Sequence, residues 1–320
     1  MARYRDALPQ LGGDLFLTDG GIETTLIFHE GLELPDFAAF HLLQHSDGTA
    51  ALRKYFHAYA AIARCYGVGV VLESATWRAS ADWATRLGYS NEALADANRR
   101  AIDMLEQVRQ EYETDHSQVV ISGCVGPRGD GYSPTQVMSE DASEAYHREQ
   151  IETFAGTAAD LVTAITMNYV EEAVGIVRAA RSAGLPTVIS FTVETDGALP
   201  TGQSLKAAIE QVDAATSSYP CYYMINCAHP SHFEQVLAEG EPWVQRIRGL
   251  RANASRQSHA ELNESTELDV GNPAELGEQY AVLKRTRLAQ LNIMGGCCGT
   301  DSRHVEEIAK ACEPLFDRST

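Results

Sequence analysis

The sequence predicts an α/β fold, a (β/α)8 or TIM barrel formed by a single domain over residues 1–320. Three observations favour it. The chain contains eight short apolar runs, these alternate with longer amphipathic segments, and no linker rich in proline, glycine or serine divides it. Alternating strands and helices indicate a parallel sheet, and eight is the number of strands that closes such a barrel. A doubly wound open sheet is the alternative.

Each predicted strand is rich in valine, isoleucine, leucine or tyrosine, and most end at glycine, serine, cysteine or aspartate. In chain order the strands are Leu15–Asp19, Gly69–Ser74, Gln118–Cys124, Asp160–Thr166, Thr187–Thr192, Cys221–Cys227, Ile247–Ala252 and Leu291–Gly295.

The amphipathic segments between the strands predict seven helices. They are Leu52–Tyr66, Asn91–Tyr112, Ala142–Ala159, Val170–Ala183, Ser204–Ser217, Pro273–Leu283 and Arg303–Cys312. Ser90 caps the second of these, and Asp301 or Thr300 begins the last. The sequence Gly184-Leu185-Pro186 ends one helix before the next strand.

Two connections are unusually long, Phe28–Gly48 after the first strand and Asn253–Asn272 after the seventh. In a barrel both lie at the C-terminal face, where substrates bind. Long loops are more often functional than idle. The first could be a lid or a subunit interface, and the sequence leaves the oligomeric state open, a homo-oligomer included.

The charge balance excludes several kinds of partner. With 44 Asp and Glu against 25 Lys and Arg, the net charge is −19, and no basic cluster offers itself to nucleic acid or to an anionic membrane. No apolar run approaches the roughly 18 residues of a membrane span, and residues 1–12 contain no apolar signal region. We therefore expect a cytoplasmic protein. Seven cysteines, an odd number, suggest reduced thiols, some of them metal ligands.

The strongest local motif is Gly295-Gly296-Cys297-Cys298-Gly299-Thr300, directly after the last strand. Adjacent cysteines rarely form a disulfide with each other because the small ring strains the intervening peptide. Flanking glycines allow the backbone to turn so that both sulfurs face one point. Two thiolates at a strand end indicate zinc. Two small buried side chains in a tight turn are the alternative interpretation.

Cys227 strengthens the zinc interpretation because it ends the sixth strand. If strands six and eight end on one rim, three sulfurs can converge and leave the fourth tetrahedral position open, as in catalytic sites. His229 and His232 are weaker candidates for that position. Three thiolates around Zn²⁺ suit the activation of an incoming thiol better than that of water. The expected reaction is attack of a substrate sulfur on an activated carbon, with no catalytic residue beyond the metal site.

A second motif, Asp19-Gly20-Gly21, follows the first strand. Glycines let a substrate approach the backbone closely and expose N–H groups to a carboxylate. The Asp19 side chain could bind an ammonium group. An ordinary Asp-Gly turn explains the same residues.

With Ile225-Asn226-Cys227 and the Gly-Gly-Cys-Cys-Gly motif, these residues resemble the homocysteine S-methyltransferases, nearly from end to end. The family consists of zinc-dependent (β/α)8 barrels, and Gly123–Pro127 matches its Gly-Pro turn after strand three. The resemblance implies transfer of a methyl group to the homocysteine sulfur, which makes methionine. The donor would be S-methylmethionine, S-adenosylmethionine, a betaine or a methylated folate or cobalamin.

The resemblance also implies roles for individual residues. Cys227, Cys297 and Cys298 would be the zinc ligands. The residues placed at the substrate are Asp19, Gly20, Gly21, Glu73, Thr166, Asn226 and Asn253.

The sequence departs from the family pattern at two positions. Ile165 stands where a glutamate usually receives the homocysteine ammonium, and an unpaired buried ammonium is costly. Glu73 or Glu194 could replace that glutamate. Glu73 could equally pair with Arg78 or Arg128 in a structural role. Arg251, in a segment where the family usually has a Pro-Asn-Ala run, is unexplained.

Four aromatic residues follow strand ends or lie beyond them, Trp77, Trp83, Tyr132 and Tyr169. They could stack on a cationic methyl donor or simply pack in the interior.

Three functions are compatible with these features. The leading one is a zinc-dependent methyltransferase of methionine biosynthesis, whose partners are a small-molecule thiol and a methyl donor. The same chemistry on another small thiol or a selenol is an alternative, because Ile165 replaces the usual glutamate. A non-catalytic zinc- or thiol-binding protein with all four metal positions filled is the third.

Overall fold

Eight parallel strands close into a barrel in the order β1 to β8. The computed structural model describes residues 1–135, 137–238, 240–265 and 267–316, and only the backbone of Asn263; residues 317–320, the end of the predicted domain, lie outside the described residues. The strands are β1 Phe16–Leu17, β2 Gly69–Glu73, β3 Val119–Val125, β4 Leu161–Met167, β5 Thr187–Thr192, β6 Tyr222–Asn226, β7 Ile247–Ala252 and β8 Ile293–Gly296. The predicted barrel is confirmed, with each strand within two residues of its predicted ends.

Helices surround the barrel. They are α1 Ser46–Tyr66, α2 Ala81–Arg86, α3 Asn91–Tyr112, α4 Glu140–Ala155, α5 Val170–Ser182, α6 Leu205–Thr216, α7 Pro230–Phe233, α8 His259–Glu264, α9 Pro273–Thr286 and α10 Ser302–Cys312. The seven predicted helices are present, and the short α2, α7 and α8 are additional. Ser90 and Asp301 cap α3 and α10 as predicted.

The connection after β1 is structured, which its sequence did not predict. It contains a π-helical segment, Thr24–His29, and two 3-10 helices, Pro35–Phe37 and Ala39–Gln44. Helix α1 begins six residues before its predicted start. Glycine is a poor helix former, so the sequence did not predict a helix across Gly48. In the structure Gly48 is buried in the first turn of α1 against Leu42.

The barrel closes where Phe16 of β1 pairs with Gly69 of β2 on one side and with Ile293 of β8 on the other. The ring of Phe16 lies over the Gly69 backbone, where any side chain would collide with it. Only a glycine therefore permits this closure.

The interior of the barrel changes polarity from one end to the other. At the N-terminal end the inward side chains form an apolar cluster that includes Val71, Val120 and Met224. Two residues further along the same strands lie Glu73, Ser122 and Asn226, all buried. Because side chains alternate along a strand, both sets face the barrel interior. The polar, C-terminal end of the barrel is therefore the place to look for a site.

Within the described ranges, no helix combines the length and the apolar character needed to cross a bilayer.

Candidate active site

Three cysteine sulfurs converge at the C-terminal end of the barrel. Cys227 follows β6, Cys297 and Cys298 follow β8, and their sulfurs all lie within 4.8 Å of one another. Cys227 and Cys297 form a disulfide with a Cα–Cα distance of 5.4 Å. The Cys298 sulfur is 3.8 Å from that of Cys227. The odd cysteine count suggested reduced thiols, whereas this pair is bonded in the structure, because the same closeness that suits a shared metal also allows a disulfide.

Strand β7 positions all three cysteines, because it lies between β6 and β8. The Cys227 N–H donates to the Arg251 carbonyl (3.1 Å), and the Cys297 N–H donates to the Ala252 carbonyl (2.9 Å). The side-chain oxygen of Asn253 accepts from the Cys298 N–H at 3.1 Å. Asn253, predicted at the substrate, therefore holds the cysteine turn.

A polar clamp lies beside Cys227. Thr166 and Cys227 have φ angles of 66° and 54°, in the left-handed region that non-glycine residues occupy at a cost of about 1–3 kcal/mol. The Asn226 amide oxygen accepts from the Thr166 N–H (3.0 Å), and its amide nitrogen donates to the Thr166 hydroxyl (2.9 Å). Thr166 and Asn226, both predicted at the substrate, thus hydrogen-bond to each other and link the ends of β4 and β6.

The sulfur cluster suits zinc. Tetrahedral zinc with Zn–S bonds of about 2.3 Å separates its sulfurs by about 3.8 Å, as found between Cys227 and Cys298. Three soft thiolates are ligands that zinc accepts readily, once Cys297 is reduced. Among the described residues, neither histidine considered earlier joins this cluster. His229 contacts the Ser231 hydroxyl and His232 contacts the Arg256 carbonyl, both at 2.8 Å.

Tyr132 and His259 cover the cysteines. The Tyr132 hydroxyl donates to the Cys227 sulfur at 3.2 Å and is 3.9 Å from that of Cys298. The His259 ring lies 4.3 Å from that of Tyr132 and contacts the Cys227 carbonyl (2.5 Å) and Glu194 (3.2 Å). Sequence reasoning treated Tyr132 only as an aromatic surface and missed His259, whose one signal was its place in the long connection after β7.

A buried ion pair lies beneath the mouth of the barrel. Arg251 of β7 and Asp19, which follows β1, approach to 2.7 Å, and the Tyr55 hydroxyl donates to the other Asp19 oxygen at 2.8 Å. The unexplained Arg251 is therefore the counterion of Asp19. Because both Asp19 oxygens have protein partners, the geometry argues against this side chain as the ammonium ligand.

Glu73 lies next to this pair. Burial raises its pKa to about 7, against the opposing influence of Arg251 and of hydrogen bonds with Ser122 and Thr163. Glu73 is only 4% exposed, at the end of β2. The site thus contains a carboxyl group that is part protonated at neutral pH.

The expected alternative pairing of Glu73 with Arg78 or Arg128 is wrong. Arg78 donates to the Gly129 carbonyl at 3.0 Å, and Arg128 pairs with Asp82 at 2.7 Å. The cation beside Glu73 is Arg251, which sequence reasoning left without a role.

The two glycines after Asp19 allow close packing. A Cβ on Gly20 would lie 2.6 Å from the Tyr59 hydroxyl, and one on Gly21 would lie 2.6 Å from the Cys297 carbonyl oxygen. Any side chain at Gly21 would therefore push the cysteine turn out of place. This packing is a second reason for the Gly-Gly sequence, besides the substrate approach predicted from it.

Two of the aromatic residues expected to stack on a cationic methyl donor, Trp77 and Trp83, stack instead on an arginine of the protein. The guanidinium of Arg78 lies between the rings of Trp77 and Trp83, at 4.1 and 3.8 Å from their centres. The Trp77 indole N–H donates to the carbonyl of Ile165, which is buried. The Tyr169 hydroxyl accepts from the Met138 N–H at 3.3 Å.

Comparison with known sequences gives matches over most of the chain. A family model described as homocysteine S-methyltransferase matches residues 16–312. Betaine–homocysteine S-methyltransferase 1 of Bos taurus is 24% identical over 263 residues, covering 76% of this chain and 61% of that protein. The chain thus spans about three fifths of the length of this relative. Homocysteine S-methyltransferase 4 of Zea mays is 23% identical over 319 residues, covering 93% of this chain and 90% of the maize protein.

Solved structures share the fold. The oxidized form of the homocysteine methyltransferase MmuM from Escherichia coli superposes with a TM-score of 0.74 at 18% identity, covering 96% of this chain and 99% of that one. Its metallated form gives 0.69 at 16% identity, with 95% and 96% covered. At these identities the likeness establishes the barrel architecture.

Proposed function

The chain belongs to the homocysteine S-methyltransferase family, and on this premise we propose that it is a zinc-dependent enzyme that methylates the thiolate of homocysteine and releases methionine. The methyl donor is an onium compound, namely S-methylmethionine, S-adenosylmethionine or betaine. The observation that carries the proposal is the convergence of Cys227, Cys297 and Cys298 at the ends of β6 and β8.

The three cysteines, in reduced form, would hold the zinc. When bound, zinc supplies positive charge that keeps an acceptor thiol ionised at neutral pH. An ionised sulfur and a neutral leaving group need neither a general acid nor a general base. The task left to the protein is to hold donor and acceptor in line, which accounts for large rate gains in such reactions.

The surrounding residues support that task. Asn253 and the β7 carbonyls fix the cysteine turns, and Thr166 with Asn226 fixes the left-handed bend before Cys227. We assign these residues to positioning. The backbone of Gly20 and Gly21 and the side chain of Glu73 remain proposed substrate contacts.

Ile165 supports a second candidate, the same chemistry on another small thiol or on a selenol. Its side chain is apolar and buried, and its carbonyl oxygen already accepts a hydrogen bond from Trp77. Ile165 therefore offers an ammonium group neither a negative charge nor a free acceptor. A non-catalytic zinc protein is less well supported, because His229 does not supply a fourth ligand in the described cluster. We place the protein in the cytoplasm, because the proposed zinc site needs all three cysteines in reduced form and a reducing compartment keeps them so.

The proposal is tested by measuring methionine formation from homocysteine with each of the three donors. Reduced, zinc-loaded protein should turn over with one donor preferred, and metal-free protein should not. Cys297→Ser should abolish zinc binding and turnover, whereas Cys65→Ser, an exposed thiol outside the cluster, should change neither.

Turnover by metal-free protein would overturn the zinc mechanism. A panel of thiols and one selenol under the same conditions tests the second candidate. An acceptor methylated faster than homocysteine would replace homocysteine in the proposal and leave the chemistry unchanged.

A further inference from the structure

Arg78 is a buried cation that forms no ion pair with any described residue. Its side chain is 7% exposed and lies between Trp77 and Trp83, and among the described residues no carboxylate forms an ion pair with it. One guanidinium nitrogen donates to the Gly129 carbonyl, while Nε is buried without a hydrogen bond. Removing a guanidinium from water is costly unless an anion compensates it. The charges of Asp130 and Glu23 act on Arg78, but neither carboxylate forms an ion pair with it, so the stacked planar cation can still pair with the carboxylate of a ligand.

Glu23 is the complementary anion. It precedes the π-helical segment Thr24–His29, and its side chain is half-buried. Within the described residues it forms no ion pair, and its nearest influences are its own amide and the charges of Asp19, Arg78 and Arg251. Burial raises its pKa to about 7. Glu23 and Arg78 are therefore close enough to influence each other's pKa, although they form no ion pair with each other.

The segment that carries Glu23 packs directly on the cysteine turn. The Thr24 hydroxyl oxygen accepts from the Gly299 N–H at 3.0 Å. Gly21 lies against the Cys297 carbonyl, where an added Cβ would be 2.6 Å from the oxygen. Glu23 lies between these two contacts in the chain and is therefore held beside the sulfurs.

A short loop joins Arg78 to the same sulfurs from the other side. Arg78 contacts the loop at the Gly129 carbonyl, and three residues later the Tyr132 hydroxyl contacts the Cys227 sulfur. Between them, Gly131 packs against the Thr166 side chain, with the ring of Trp77 next to it. One segment therefore connects Glu23 to the sulfur cluster and another connects Arg78 to it, and neither side chain forms an ion pair within the described residues.

We propose that Glu23 and Arg78 bind the α-amino-acid head of the acceptor, with Glu23 pairing its ammonium group and Arg78 its carboxylate. This inference rests on the proposed function, which places the acceptor sulfur at the cysteines. The two residues select zwitterionic thiols, and Glu23 takes the part that Ile165 cannot.

The other two acids considered for the ammonium fit less well. Glu194 contacts His259 at 3.2 Å, so its charge already has a partner. Glu73 is almost completely buried at the end of β2, and the charge of Arg251 already acts on it. Glu23 has neither a cationic partner nor complete burial.

The acceptor head is probed with two truncated thiols. Homocysteine is compared with 4-mercaptobutyrate, which lacks the ammonium, and with 3-mercaptopropylamine, which lacks the carboxylate. In the zinc-loaded wild-type protein each truncation should lower kcat/KM by roughly 10- to 100-fold, as expected for loss of a charged hydrogen-bonded contact. KM should carry more of the change than kcat, because the head is remote from the reacting sulfur.

Variants assign each contact. In Glu23→Gln, homocysteine should lose its advantage over 4-mercaptobutyrate and keep its advantage over 3-mercaptopropylamine. Arg78→Gln should show the reverse, and Arg78→Lys should recover part of the effect. Glu30→Gln and Arg53→Gln are matched controls, because these surface residues pair with Lys54 and Glu111. Both controls should behave as wild type, and thermal unfolding of every variant checks that it is folded.

A second readout does not depend on turnover. Calorimetric binding of methionine, which has the same amino-acid head, should weaken roughly 10- to 100-fold in Glu23→Gln and in Arg78→Gln, with and without zinc. If methionine binding behaves so but no thiol is methylated, the proposed function fails and this inference stands. If homocysteine is methylated and neither variant changes discrimination or binding, this inference fails and the function stands. Loss of discrimination in Glu73→Gln but not in Glu23→Gln would also overturn it, as would failure of wild-type protein to bind methionine.

Discussion

Arg251 and Asp19 form an ion pair of 2.7 Å between β7 and the end of β1, with both side chains almost fully buried. Arg251 also donates to the carbonyls of Gly296 (3.1 Å) and Gly20 (3.3 Å). The guanidinium therefore ties the strand that positions the cysteines to the two strand ends flanking the closure of the barrel.

Arg251→Met should destabilise the protein by about 3–5 kcal/mol, because it leaves Asp19 as an uncompensated buried charge next to Glu73. Urea unfolding at pH 7 measures this loss. The double variant Asp19→Asn/Arg251→Met should be less destabilised than Arg251→Met alone, since the orphaned charge is gone. Arg248→Met removes a half-buried arginine of the same strand that bonds Asn292 and is the control. Equal losses in the single and double variants would contradict the pairing.

Asn253→Ala should weaken zinc binding by about 10- to 100-fold, the range found when groups that orient metal ligands are removed. It deletes the acceptor of the Cys298 N–H and touches no sulfur. Competition with a chromophoric chelator measures the affinity. Asn253→Asp keeps an acceptor oxygen and should stay near wild type. Equal zinc affinities of the Asn253→Ala and Asn253→Asp variants would show that the Asn253 side chain does not position the cysteine turn.

Asp301 should make stability depend on pH at the acidic end. Burial alone would raise the pKa of Asp301, but hydrogen bonds from His304 and Arg303 hold it well below its usual range. A depressed carboxyl pKa stabilises the fold above the unfolded-state pKa of about 3.9 and loses that effect as pH falls. Asp301→Asn, which can still cap α10, should cost about 1–2 kcal/mol at pH 7, because Arg303 is solvent-exposed. The difference in unfolding free energy between wild type and Asp301→Asn should shrink progressively as the pH falls below about 4. A difference that stays constant with pH would contradict this.

The sequence predicted the barrel well because its strands are short, apolar and regularly spaced. It also brought Cys227 to Cys297 and Cys298, because parallel strands end on one rim. It could not predict Arg251 with Asp19, whose strands approach only when the barrel closes. Nor could it show that Thr166 and Asn226 bond each other, because hydrogen-bond partners depend on a bend in β4 that apolar patterning does not encode. Glu23 follows the Asp19-Gly20-Gly21 motif by two residues, but its place beside the cysteine turn without an ion-pair partner among the described residues is visible only in three dimensions.

The central claim, that the acceptor sulfur is activated at a three-cysteine zinc site, is tested most directly by X-ray absorption at the zinc edge of the reduced protein. Without acceptor, the spectrum should show three sulfurs and one lighter ligand. Added homocysteine should replace the light ligand and give four sulfurs. A ligand shell unchanged by homocysteine, or one already filled by four protein groups, would contradict the account.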